Sequence, residues 1–166
     1  MSFTFIAQAQ TIVTPLGASI NSQISFTVTG TPTLAPFTTE SDIENGIISD
    51  AVNFAIKSNR PWKLTISITN IVGIPLAGGP PTITAPIHPL NVSWGVINGT
   101  GSTVTSWTVF ANTTNTTSAP IVAKTGARGA PAVSGNTFTL RYKMIPGFAV
   151  DPGTYALEVT YVVDAL

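Results

Sequence analysis

A single histidine and seven acidic residues are the side chains best suited to proton transfer or metal binding in this 166-residue chain, which has no cysteine. His88 stands between Ile87 and Pro89 in a proline-rich stretch. Nucleophilic catalysis through a Ser-His-Asp arrangement needs a positioned serine, and no G-x-S-x-G elbow accompanies the histidine. His88 therefore reads as a loop residue, and as a lone imidazole it does not make a histidine-based metal site. Without cysteine there are no disulfides, thiolate metal sites or thiol nucleophiles.

Four of the seven acids, Glu40, Asp42, Glu44 and Asp50, fall within "ESDIENGIISD". Their hard oxygens suit calcium, which makes them weak candidate ligands. Gly46 and Ile47-Ile48 interrupt the ligand rhythm of an EF-hand loop, so a solvated acidic turn is the competing reading, with Ser41 and Glu44 capping one helical turn. The other acids, Asp151, Glu158 and Asp164, lie on or beside the last apolar run. A glycosidase needs two carboxyls across a cleft, whereas Glu158 sits between Leu157 and Val159 on what should be a solvent face. The expectation is a protein that is not an enzyme, with no catalytic residue, no cofactor and no established metal.

Asn91, Asn98, Asn112 and Asn115 each head an N-x-[ST] sequon, weak candidates for attachment of a surface glycan. Trp62 and Trp94 alternate in register with aliphatic residues and belong in a core. Trp107, flanked on its face by Thr105 and Val109, is a slightly better candidate for a surface aromatic but also reads mainly as core.

The elements that must position these groups are strands. Two-residue alternation recurs along the chain between Gly, Pro and Asn: Phe3, Phe5, Ala7 and Ala9; Ile24, Phe26 and Val28; Trp62, Leu64, Ile66 and Ile68; Phe138, Leu140, Tyr142 and Met144; Tyr155 through Val163. Ser58-Asn59-Arg60-Pro61 marks a hairpin or corner, and Asn98-Gly99 a hairpin. Residues 71–90 hold five prolines and three glycines and read as loop with at most an edge strand. About nine or ten strands in one domain predict an all-β fold, a single β-sandwich or jelly roll of Ig-like type, with a closed barrel as runner-up.

Composition agrees. Charged residues are 8% of the chain and hydrophobics 43%, while 26 threonines and 13 serines supply the polarity. Branched threonine suits a pleated surface. A net charge of zero without a basic patch excludes the electrostatic footprint of a nucleic-acid binder. No apolar run is long enough to span a bilayer as a helix, and the first residues lack the basic and continuous apolar regions of a signal peptide.

The Thr-rich first strand, the middle strand "SNRPWKLTI" and the closing "PGTYALEVTYVV" together resemble the secreted β-sandwich subunits of prokaryotic surfaces, a group that includes spore coat protein U-like and WxL-like domains and donor-strand filament subunits. The resemblance implies a homopolymer in which an N-terminal extension of one subunit completes the sheet of the next. Residues 1–13 are then the donor strand, 14–17 a hinge carrying Pro15 and Gly17, and 18–166 the sandwich. Phe3, Phe5, Ala7 and Ala9 insert in a groove, and Ile6 meets a second surface. The alternative is that residues 3–13 pair within their own sheet. The functional expectation is an extracellular filament or surface-appendage subunit; the rivals are a monomeric carbohydrate-binding or adhesive module and a viral coat, fibre or decoration protein.

Overall fold

The computed structural model describes residues 19–79, 81–98, 103–111, 116–133 and 135–166. The alternation seen in the sequence becomes nine strands: β1 (Ile24–Thr29), β2 (Ile47–Ile48), β3 (Val52–Ser58), β4 (Trp62–Pro75), β5 (Val92–Asn98), β6 (Thr108–Val109), β7 (Ile121–Gly126), β8 (Thr137–Met144) and β9 (Gly153–Ala165). One helix, α1 (Glu40–Asn45), and a 3-10 turn at Pro89–Asn91 complete the elements.

The strands form two antiparallel sheets, a β-sandwich. The larger has the order β1-β3-β8-β5-β6 with β2 also paired to β8, and the smaller has the order β7-β4-β9. Consecutive β3 and β4 belong to different sheets, so Ser58–Pro61 is a corner and not a hairpin. There the chain turns from one layer to the other, and its alternation continues with the apolar face still inward.

Between the layers lie Val52, Phe54 and Ile56 of β3, Phe138, Leu140, Tyr142 and Met144 of β8, and Trp62, Leu64, Ile66 and Ile68 of β4, all nearly or wholly buried. Phe54 stacks on Phe138 at 5.1 Å and Trp62 on Phe138 at 6.0 Å between ring centroids. Two polar contacts cross this interior. Trp62 Nε1 donates to Asn136 Oδ1 at 3.0 Å, and the hydroxyls of Tyr142 and Tyr161 meet at 2.8 Å. Each gives a buried polar atom the partner that burial demands.

Several local expectations are corrected. β4 runs on to Pro75, where loop was expected from Ile71. A register shift between Ile68 and Asn70 inserts an extra residue, so Ile71 faces inward in place of Asn70. At the same point Ile68 N donates to buried Ser118 Oγ and Ser118 N donates back to Ile68 O. Thr39, not Ser41, caps α1: Asp42 N donates to Thr39 Oγ1, and Asp42 Oδ2 accepts from Thr39 N. The second strand around Asn98-Gly99 is only two residues long. A Cβ on Gly95 would meet Val104 Cγ1 and Ser106 O, so the segment before β6 packs closely over β5.

Candidate assembly site at the open side of the sandwich

The sandwich closes unevenly. β1 ends the large sheet and β9 ends the small one, and the two edges are neighbours on one side of the molecule. On β1, Phe26 pairs with Ile56 and shares its inward face, yet Phe26 is 43% exposed while Ile56 is fully buried. On β9, Leu157, Val159, Tyr161 and Val163 pair with Ile71, Ile68, Ile66 and Leu64 of β4. Those β4 partners are buried, but the β9 residues remain half-buried. Among the described residues the inward apolar faces of both edges are thus only partly covered.

β9 pairs with β4 alone, over all 13 of its residues. Its other edge carries no sheet partner among the described residues. A long unpaired edge is a template for another strand, because its free N–H and C=O groups can be matched by an extended segment.

A recess of about 1010 Å³, lined by residues 31–37 that follow β1, opens beside the first half of β9. Leu34, Phe37, Met144, Val150, Tyr155 and Leu157 are among its apolar lining. Among the described residues, Asp151 is the only charged one lining it. Its carboxylate Oδ2 accepts from Thr84 N at 2.6 Å, Thr84 Oγ1 at 2.9 Å and Ala85 N at 2.8 Å, while Asp151 N donates to Ala85 O. Tyr155 Oη donates to Asp151 O at 2.6 Å. This one residue ties residues 84–85 to the turn that starts β9.

The bonds from Ala85 and Thr84 favour the ionised carboxylate and hold Asp151 below the usual carboxylate range. Asp42 is lowered in the same way by the amides of Thr38 and Thr39. A carboxyl with a depressed folded-state pKa stabilises the fold above its unfolded value and loses that contribution as pH falls through the folded one. Thermal melts should therefore show stability declining below about pH 4. D151N should melt below wild type at neutral pH and converge on it in acid; a gap independent of pH would rule out this role.

The other sequence candidates are dispersed. Among the described residues no three of His, Asp and Glu gather as a metal site, and the Asp42 carboxylate is engaged by Thr38 and Thr39 while Glu40 and Glu44 are exposed on α1. Asp50 follows β2, and its backbone N–H donates to Thr33 O. Asn91 Nδ2, the atom a glycan would occupy, donates to Ile145 O and Pro146 O, and Asn91 Oδ1 accepts from His88 N. Asn98 is exposed, with Oδ1 accepting from Lys124 Nζ. Asn112 and Asn115 lie outside the described residues, as do Phe3, Phe5, Ile6, Ala7, Ala9 and the hinge residues Pro15 and Gly17. Trp62 is fully buried and Trp94 is 7% exposed, while Trp107 is half-buried. His88 is half-buried between buried Ile87 and Pro89.

Sequence reasoning missed the recess and the role of Asp151. A signal for the latter was present in the Asp-Pro-Gly turn ahead of the last strand, since aspartate commonly accepts backbone bonds at turns. Fold and site together define an all-β sandwich in which the long edge of β9 has no sheet partner among the described residues. No family model matches the chain, and no curated protein is significantly similar to it.

Proposed function

We propose that this protein is a structural, non-enzymatic subunit of an extracellular filament or surface appendage, assembled head to tail by donation of its N-terminal strand. The observation that carries the reading is the 13-residue edge of β9, unpaired among the described residues, whose inward side chains are half-buried although their β4 partners are buried. A strand added there would pair the free backbone groups and cover apolar surface, and a heterologous contact of that kind propagates into a filament when its rotation does not close. The scarcity of charge, 8% of residues, is in keeping with a surface that becomes buried between subunits, where desolvating charge is costly.

Electron microscopy of the full chain beside a variant lacking residues 2–13, at matched concentration, tests this. The full chain should form filaments and the truncated variant folded, soluble particles. Monomers from both would eliminate strand donation and favour a monomeric binding module; closed shells would favour a coat protein.

A further inference from the structure

Two ends of the subunit differ in a way that gives an assembly a direction. Ile24 pairs with Ser58 at the corner that leads into Trp62, and Trp62 pairs with Ala165, so β1 begins beside the C-terminal end of β9. The chain is pinned there: Asn59 Nδ2 donates to Asn21 O, Gln23 N donates to Asn59 Oδ1, and Asn59 N donates to Gln23 O. The recess lies at the other end of β9, along Gly153–Val159. At about 3.3 Å per residue, the eight residues from Leu157 to Ala165 separate the two by roughly 26 Å.

Chemistry matches as well as position. The first 39 residues contain no Asp, Glu, Lys, Arg or His, so the segment preceding Asn21 enters an apolar recess without stripping water from a charge. Phe3, Phe5, Ala7 and Ala9 alternate with Ser2, Thr4, Gln8 and Gln10, Ile6 alone interrupting the polar face, which is the period a strand needs to place one face inward. The recess offers Leu34, Phe37, Met144, Val150 and Leu157 as apolar partners.

Building on the strand-donation reading, we propose that the recess lined by Leu34, Phe37 and the first half of β9 is the acceptor seat, and that its occupant is the segment 2–13 of a second copy. The donor leaves one subunit at its Asn59 corner and seats at the opposite end of the next. That arrangement makes the polymer polar, each copy presenting a donor at one end and an acceptor at the other.

The absence of native cysteine makes disulfide trapping clean. Copies carrying F3C, F5C or A7C are mixed with copies carrying L157C under mild oxidation and resolved on non-reducing gels, with T4C and I6C as opposite-face controls. A35C, at an exposed position lining the same recess, replaces L157C should the latter fail to fold. The seat predicts disulfide-linked dimers whose yield at one or more of the odd positions exceeds that at the even ones several-fold, and a ladder of multimers from a chain carrying both cysteines. Filaments by microscopy with no trapped dimer at any position would overturn the seat while leaving strand donation intact. A monomer-sized, internally linked species from the doubly substituted chain would show that the segment fills its own recess and overturn the second copy as occupant. Neither filaments nor cross-links would remove both readings.

Discussion

Trp62→Ala should lower the unfolding free energy by about 3–5 kcal/mol, the range for deleting a large aromatic from a packed core. Trp62 is fully buried, stacks on Phe138 and directs its indole N–H at Asn136 Oδ1. A Cβ on Gly126, its partner across the sheet, would meet the indole ring, so the site is filled from both strands. Removing the ring leaves a cavity and orphans the buried Asn136 carbonyl together. Against a typical total of about 5–15 kcal/mol, that loss takes much of the stability. Asn136→Ala, which keeps the ring but strands its N–H, should cost less, about 1–3 kcal/mol. Urea titrations followed by far-UV circular dichroism measure both. Equal losses would mean that the hydrogen bonds of Asn136, whose Nδ2 also donates to Gly129 O and Ala130 O, and not the filled volume, dominate the site.

Alkaline destabilisation is the second large effect. Tyr142 is 5% exposed, stacks on Phe110 at 6.4 Å and shares its hydroxyl with Tyr161. Burial holds the Tyr142 phenol well above its ordinary value, with the neighbouring Tyr161 adding to the shift. Burial also raises Tyr161, against a smaller opposing effect of the hydrogen bond. In the unfolded chain such a phenol ionises near about pH 10, so folding keeps a proton that the unfolded state gives up. The contribution is fully present below that pH and is lost as pH rises, at about 1.4 kcal/mol per unit for Tyr142. Tyr142→Phe should start lower at pH 8, because Tyr161 loses a partner, and then fall less steeply between about pH 10 and 12. Denaturation midpoints across that interval decide it, since parallel curves for the two proteins would exclude Tyr142 as the titrating group.

The strands that cross the core were readable because period-two alternation survives wherever one face is buried. Trp62 to Ile68 and Phe138 to Met144 show it without interruption, and both lie in the centre of the sandwich. Reading failed where the period breaks. The extra residue between Ile68 and Asn70 shifts the phase, and with prolines following, Ile71–Pro75 resembled loop. The corner at Ser58–Pro61 carries turn residues whether or not its flanking strands pair with each other; only tertiary structure distinguishes the cases. The recess beside β9 was hidden for a related reason. Its lining comes mainly from residues 31–37 and 142–159, with Ile43, Ser49, Leu76, Ile87 and Val92, brought together by the fold and not by any local pattern.

The placement of β8 between β3 and β5 constrains how the chain acquires its fold. Without Thr137–Met144 the large sheet is two disconnected pairs, β1 with β3 and β5 with β6, plus an unpaired β2, and without Gly153–Ala165 the small one keeps only β7 beside β4. Pairings such as Phe54 with Phe138 and Leu64 with Val163 join residues that the ribosome supplies far apart in time. Such non-local topology makes folding slow. Nascent chains would carry Trp62, Leu64, Ile66 and Ile68 unshielded until Thr137–Met144 and Gly153–Ala165 have been synthesised, and that interval is when a chaperone would have most to do.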